Sequence, residues 1–349
     1  MESRKPSRVT SEEVAQLAGV SRSAVSRTFT PGASVSAKTR DKVLSAASSL
    51  GYRPNALART LIIRRTNMVG LVMAEWENPF YTDILRQFSE RFQREGYQLL
   101  LMTSVTEADV DDAVRRLLQY QVDGLLVVSA KPSPELAQEC AASDTPLVLM
   151  NRHSPGDVAS SVTCDNAQVG RDIVQLLLDR RYRRLAIVRG DPNVQVGVGR
   201  PAAMVDEIAG AGNAKVVADV SGCLGYKAGR KAIADLWRSP DPPDAVVCSS
   251  DPTALGVLDG ARLDLGIKVP EELAVIGLGD IPEASWGSFR LSTVHLPVDE
   301  MIDLAANDLL KRLEDTAIKP RHWVANARVI ARESVRAPQP HNGNALAEY

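Results

Sequence analysis

Arg22, Ser23, Ser26 and Arg27 fall within the six residues "RSAVSR" and surround Ala24 and Val25. At helical spacing the alanine and valine turn inward and the four polar groups outward. Guanidinium and hydroxyl groups near the start of a helix are the types that read base edges, and a major groove about 12 Å wide admits one helix. A second set of residues has a different chemistry. Trp76, Asn78, Phe80 and Tyr81 in "MAEWENPFY", Asp165 and Asn166 in "TCDN", Arg200 in "VGVGRPAAM", Asp251 in "CSSDPTALG", and Asp280 and Trp286 in "GLGDIPEASW" offer aromatic faces with a few hydrogen-bonding groups. That combination suits a small polar molecule such as a sugar, a polyol or a related acid.

Residues for catalysis or for a metal are not arranged to work together. The cysteines Cys140, Cys164, Cys223 and Cys248 lie 24 to 59 residues apart, with no CxxC pair, and read as reduced core residues. His153, His295, His322 and His341 show no HExxH or other ligand spacing. No GxSxG elbow or GxxxxGK[ST] loop occurs. "GVGRPA" has the letters of a dinucleotide fingerprint. A working fingerprint follows its strand directly, whereas "RLAIVRG" ends seven residues earlier with Pro192 between. We therefore expect no enzyme, no cofactor and no protein-held metal.

At 349 residues the chain is long enough for two or three domains. The net charge of −2 hides an asymmetry: residues 1–65 carry twelve Lys or Arg against four acids, and the rest 29 against 39, so +8 faces −10. A solvated charged face is the plain alternative, but an excess this concentrated favours a polyanion partner, nucleic acid. No apolar run approaches the ~18–20 residues of a membrane span, and "MESRKPSRVT" lacks a signal peptide's apolar core. A cytoplasmic protein with no membrane role is the expectation.

Three short helices must hold the basic set. Thr10 and Glu13 form a capping box that starts a helix from about Ser11 to Ala18, and Gly19 supplies the turn. Ser21 caps the second helix, to about Thr28. Ser36 caps a third running through Val43, Leu44, Ala47 and Leu50 to Gly51, with Val14, Leu17 and Ala18 facing them. This is a helix-turn-helix layout.

The stretch from "VTSEEVAQLAGVSRSAVSRTF" through "VSAKTRDKVLSAASSLGYRPNALARTL" closely resembles the DNA-binding head of the lac repressor family of bacterial transcriptional regulators. The resemblance implies that Arg22, Ser23 and Arg27 read bases. It also implies that Thr10, Ser21, Ser26, Ser36, Lys38, Thr39 and Arg40 hold phosphates or cap helices. "RPNALARTL" matches a hinge that folds on operator DNA and puts Leu61 into the minor groove, with Asn55 and Ala58 beside it. The residues agree: Pro54 stops the preceding helix, and Asn55 to Leu61 make under two helical turns, far below the ~12–15 residues that are stable alone. Leu61 is then a wedge that unstacks a base step, or an ordinary linker contact.

From Asn67 short apolar runs alternate with helical patterns. Strands are expected at 68–74, 97–102, 124–128 and 146–151, then in "RLAIVRG", "AVVCSSD" and "LAVIGLGD". Helices are expected at 80–95, 107–119, 134–142, 200–211, 225–238 and 253–265. Continuous apolar runs mean strands covered on both faces, hence parallel sheets, and two series suggest two subdomains with a cleft. Ligands in such sheets sit beyond the carboxyl ends of the strands, where the polar set lies. Asp165 and Asp280 equally suit helix caps.

The body also resembles the family's effector-binding core, itself similar to periplasmic sugar-binding proteins. By that resemblance Arg200 and Asp251 grip the effector and Phe80 packs on it. The segments "AEW" and "RPAAM" depart from the family pattern, and His295 suits core packing or a contact between subdomains better than ligation.

The expected protein is an α/β chain. A small all-α helix-turn-helix head (1–53) and a hinge (54–66) precede a two-lobed periplasmic-binding-protein-like core of parallel sheets flanked by helices (67–336). The N-terminal lobe takes 67–162 and 295–322, the C-terminal lobe 163–292 and 323–336, and 337–349 form a disordered tail without the apolar heptads of a tetramer. Its function is transcriptional regulation, more readily repression. It acts as a homodimer on a palindromic double-stranded DNA operator, under a small-molecule effector bound by Asn78, Phe80, Tyr81, Asp165, Arg200, Asp251, Asp280 and Trp286. A solute-binding protein of the same architecture and an α/β enzyme are the alternatives.

Overall fold

The computed structural model describes residues 9–30, 32–53, 65–73, 78–103, 107–154, 157–190 and 199–338. The chain divides at Thr66 into two compact units.

In the first unit each helix begins where a hydroxyl can accept an otherwise orphaned amide. Helix α1 (Ser11–Ala18) opens on the complete Thr10–Glu13 capping box and ends at Gly19, whose φ of 63° needs no Cβ. Helix α2 (Arg22–Thr28) is capped by Ser21 and α3 (Ala37–Leu50) by Ser36. Val14, Ala15, Ala18, Val25, Val43, Ala46 and Ala47 form the core, and Phe29 and Tyr52 close its rim with ring centroids 5.8 Å apart. Leu17 and Leu44, expected inside, are 56% and 45% exposed. At 100° per residue the buried arcs centre between Val14, Ala15 and Ala18 on α1, and among Val43, Ala46 and Ala47 on α3. Both leucines fall just past the edge of their arcs.

The second unit contains β1 (Met68–Met73), α4 (Pro79–Arg94), β2 (Gln98–Thr103), α5 (Glu107–Gln119), β3 (Gly124–Val128), α6 (Pro134–Ala142), β4 (Leu147–Met150) and β5 (Ser160–Cys164). Next come α7 (Asn166–Asp179), β6 (Arg184–Val188), α8 (Gly199–Ala211), β7 (Lys215–Val220), α9 (Gly225–Trp237), β8 (Ala245–Cys248), α10 (Asp251–Asp259) and β9 (Ala274–Ile276). The last are β10 (Thr293–His295), α11 (Val298–Glu314), β11 (His322–Ala325) and β12 (Arg328–Ile330). One parallel sheet has the order β11-β5-β4-β3-β1-β2 and another β7-β6-β8-β9, while β10 and β12 pair antiparallel.

Alternate residues of each sheet feed different cores, as burial on both faces requires. Val69, Leu71 and Met73 of β1 pack with Ile84, Phe88 and Phe92 of α4, whereas Val72 joins Val110, Val114 and Leu117 of α5. In the second sheet Leu185 and Ile187 face Ile173, Met204 and Ile208, and Ala186 and Val188 face Ile233 and Leu236.

The chain passes between the sheets three times, at 164–166, at 295–298 and at 325–328. The first and last crossings lie later than the lobe boundaries expected from sequence. Strand β5 runs to Cys164 and β11 to Ala325, because His322–Ala325 pair in parallel with Ser161–Cys164 and extend the N-terminal sheet. Residues 163, 164 and 323–325 thus belong to the N-terminal lobe. Most of the tail, and Asn55, Ala58 and Leu61 of the hinge, lie outside the described residues, as does Trp76.

Candidate functional site

In the head, Ala24, Val25 and Thr28 are buried while Arg22, Ser23, Ser26 and Arg27 are all exposed, so α2 presents a wholly polar face. Ser21 Oγ accepts the Ala24 amide at 3.2 Å and sits 2.9 Å from Ser23 Oγ, which holds that hydroxyl at the first turn. Thr10 and Lys38 are exposed, and Ser36 Oγ both accepts the Thr39 amide at 3.2 Å and pairs with the Thr39 hydroxyl at 2.8 Å. Arg40 donates to the Thr28 carbonyl at 3.2 Å, so this cation also caps the end of α2. The free amides of a helix N-terminus and the outward guanidinium groups together suit a phosphate backbone.

In the second unit a cavity of about 740 Å³ lies where the lobes meet, within the range that takes a small ligand. Phe80, Asp83 and Arg86 of α4 form one wall, Gly279, Asp280 and Glu283 after β9 another, and His295, Val298 and Glu300 at the second crossing the third. Asn78 caps α4 by accepting the Phe80 amide at 3.1 Å. This directs the Phe80 ring so that it packs against the cores of both lobes. Asp280 has a left-handed backbone, φ 54°, uncommon outside glycine. Its carboxylate accepts from Arg332 at 2.6 Å and lies 2.9 Å from His295 Nδ1. Asp280 therefore joins two returning segments of the chain, β10 through His295 and the stretch after β12 through Arg332.

Other residues nominated from sequence sit elsewhere. Tyr81 is only 4% exposed, its ring edge-on to Phe80 within the N-terminal core, and does not line the cavity. Trp286 is 53% exposed beyond the short helix Pro282–Ser285 and is likewise outside the cavity wall. Asp165 takes the capping role, its Oδ1 accepting the Gln168 amide at 2.9 Å. Arg200 is buried at the start of α8 and donates to Asn166 Oδ1, while its Nε has no hydrogen-bond partner among the described residues. Burial alone lowers its pKa to about 10.

Asp251 is the clearest correction. It is fully buried and turned into the lobe: Oδ1 accepts from the Thr293 hydroxyl at 2.5 Å and Oδ2 from the Ile281 amide at 2.9 Å. A Cβ at Gly277 would stand 2.1 Å from Oδ1, so glycine there makes room for the carboxylate. Both oxygens tie α10 to the 281 segment and to β10, and the carboxylate does not line the cavity. Burial raises the Asp251 pKa to about 6, against the two hydrogen bonds. A carboxyl whose pKa is raised on folding lends stability that is complete below pH ~4 and lost as pH rises through 6, here on the order of 3 kcal/mol. Asp251→Asn should remove that slope and be relatively more favourable at pH 7.5 than at pH 4. Denaturant midpoints across pH 4–7.5 check this, and equal slopes in variant and parent would contradict it.

Among the cavity residues that the sequence did not single out are Asp83, Arg86, Glu283, Val298, Asp299 and Glu300. They come from three distant segments, and only the "GDIPE" run carried a local hint. The thiols of Cys140 and Cys164 are pushed up to about 11 by burial and that of Cys248 higher still, so these three stay protonated.

Residues 10–55 match the family model for bacterial regulatory proteins of the lacI family, and residues 174–335 match a periplasmic binding protein-like domain. The ribose operon repressor of Escherichia coli is 32% identical over 316 residues, spanning 89% of this chain and 94% of the repressor. The chain belongs to the lacI family of bacterial regulatory proteins. A second relative, the HTH-type transcriptional regulator CelR of Thermobifida fusca, is 33% identical across 94% of this chain and 98% of its own. Among solved structures, a CelR–cellobiose complex superimposes with a TM-score of 0.68 at 31% identity, over 94% of this chain and all of that one. A lac repressor dimer bound to operator and an anti-inducer gives 0.81 at 21% identity, over 95% and all, a likeness of fold. The two-lobed lacI-family fold is thus the fold of this chain, and its named relatives are regulators and repressors rather than enzymes. No helix among the described residues is long and apolar enough to cross a membrane.

Proposed function

We propose that the chain is a cytoplasmic, homodimeric transcriptional repressor that binds a palindromic operator through α2 and answers to a small polar effector in the cavity between its lobes. The observation that carries this reading is the all-polar exposed face of α2 on a head of strongly positive charge. One recognition helix covers a half-site, and two related by a two-fold axis read a palindrome. Arg22, Ser23 and Arg27 contact bases, while Thr10, Ser21, Ser26, Ser36, Lys38, Thr39 and Arg40 hold phosphates. Asn55, Ala58 and Leu61 belong to the hinge that meets the minor groove.

On the effector side Phe80 and Asp280 are the groups we assign, with Asn78 positioning Phe80. Relatives named for ribose and cellobiose support a sugar-like ligand. A molecule in the cavity touches Asp280 and His295, the pair that ties one crossing to the loop after β9, and thereby biases the relative setting of the lobes. It acts only through its different affinity for the two settings, so it either releases DNA or strengthens binding.

The test is a reporter promoter carrying the chain's operator, transcribed in vitro with purified protein. Repression that a cavity ligand alters is expected. An operator that the protein occupies without changing transcription would overturn repression.

A further inference from the structure

Five carboxylates surround the cavity, against one arginine and one histidine: Asp83, Asp280, Glu283, Asp299 and Glu300 face Arg86 and His295. Both bases are already engaged, Arg86 with Asp83 at 2.7 Å and Glu90 at 2.9 Å, and His295 with Asp280. Asp280 is further neutralised by Arg332. Glu283, Asp299 and Glu300 have no ion pair among the described residues, and Glu283 Oε2 is buried without a hydrogen-bond donor. An acceptor in that state on a cavity wall is missing a partner from outside the chain.

A metal ion does not fit that description. No group of three or more His, Cys, Asp or Glu among the described residues is placed to hold one. The acids line a cavity of about 740 Å³ rather than converging on a point. Apart from Thr82 the rest of the wall is largely apolar and includes the Phe80 ring, Ile281, Leu296 and Val298. Gly279 lies against Phe80, since a Cβ there would stand in van der Waals contact 3.6 Å from the ring.

We propose that the cavity takes a positively charged, donor-rich small molecule, an amine-bearing sugar or polyol, and that Glu283 receives its ammonium group. This rests on the cavity being the effector site. Asp299 and Glu300 are exposed in the first turn of α11, so the charge that water does not reach is the Glu283 Oε2 end; a neutral sugar supplies a donor there but no countercharge, and a sugar acid adds a second negative charge. An amine answers both, while the Phe80 face packs on the carbon skeleton and favours a nearby cation.

The test is calorimetric titration of the full-length protein with glucose, glucosamine and glucuronate, and with cellobiose and its 2-amino counterpart, in low and in 0.5 M salt. The aminated member of a pair should bind at least tenfold more tightly than the neutral one, with the advantage shrinking at high salt. Glu283→Gln should abolish the advantage, so that the aminated member of a pair binds no more tightly than the neutral one. Thr82→Trp, at an exposed position on the cavity wall, fills the space and should block all binding. A neutral or uronic form that binds as tightly as the amine, and is still blocked by Thr82→Trp, overturns the charge assignment and keeps the cavity as effector site. Binding that survives Thr82→Trp, or no binding by any of the five, overturns the cavity as effector site and this proposal with it.

Discussion

Gly256→Ala should destabilise the C-terminal lobe by about 3 kcal/mol or more, the upper range of overpacking costs. Helices α9 and α10 cross through glycines on both sides. A Cβ at Gly256 would lie 1.9 Å from the Tyr226 carbonyl oxygen, and one at Gly229 would lie 2.0 Å from that of Thr253. Both obstacles are backbone, so no rotamer change relieves them and the helices must move apart. That separation would open the core shared by Ile233, Val257 and Leu258. Gly210 on α8 is the control, since nothing lies within 4 Å of its Cβ position. Gly210→Ala should gain up to about 1 kcal/mol from helix propensity. Equilibrium unfolding in denaturant measures both, and a Gly256→Ala variant within about 1 kcal/mol of the parent would mean the crossing is looser than described.

The second large effect concerns the head. Arg22→Ala should cost about 1–3 kcal/mol in operator affinity, or roughly 5- to 150-fold, and relax the preference at the base pair that the guanidinium reads. Lys38→Ala should weaken binding alike on all sequences and reduce the slope of log affinity against log salt by about one phosphate's worth. Arg40→Ala should combine a phosphate-type loss with some loss of head stability, because Arg40 also caps α2 at the Thr28 carbonyl. Fluorescence anisotropy on operator and scrambled duplexes separates these outcomes. If Arg22→Ala and Lys38→Ala behave alike on both duplexes, Arg22 does not read bases.

The head was legible in the sequence because its signals are local. Thr10 and Glu13, Ser21, Ser36, Gly19 and Gly51 each act within four residues of themselves, and each does in the structure what its type and position suggest. The long apolar runs of the body were legible for a similar reason, since burial on both faces leaves an unbroken hydrophobic stretch. Strand β5 was not, because "SSVTC" reads as a polar loop. Its Ser160 is buried and accepts from Arg312 at 3.3 Å and from the Arg321 amide at 3.1 Å, a satisfaction supplied by residues some 150 positions away.

The cavity divides the same way. The rule that ligands sit beyond strand ends led to Phe80 and Asp280, which do line it, and equally to Tyr81 and Asp251, which point into their own lobes. Residue type and position in sequence do not say which way a side chain turns after a strand. For Asp251 the turn depends on Thr293 and on the missing side chain of Gly277, neither visible from "CSSDPTALG". Glu283, Asp299 and Glu300 meet Asp83 only because the chain crosses between the lobes. No local pattern encodes that meeting.

The most direct test of operator recognition by a two-fold dimer is selection from randomised duplex DNA with the purified full-length protein, at stated salt because phosphate contacts make affinity salt-dependent. The expected result is a two-fold symmetric sequence with half-sites one helical turn apart, whose preference shifts in the Arg22→Ala variant. Failure to enrich any sequence, with and without neutral, aminated and acidic sugars, would contradict it.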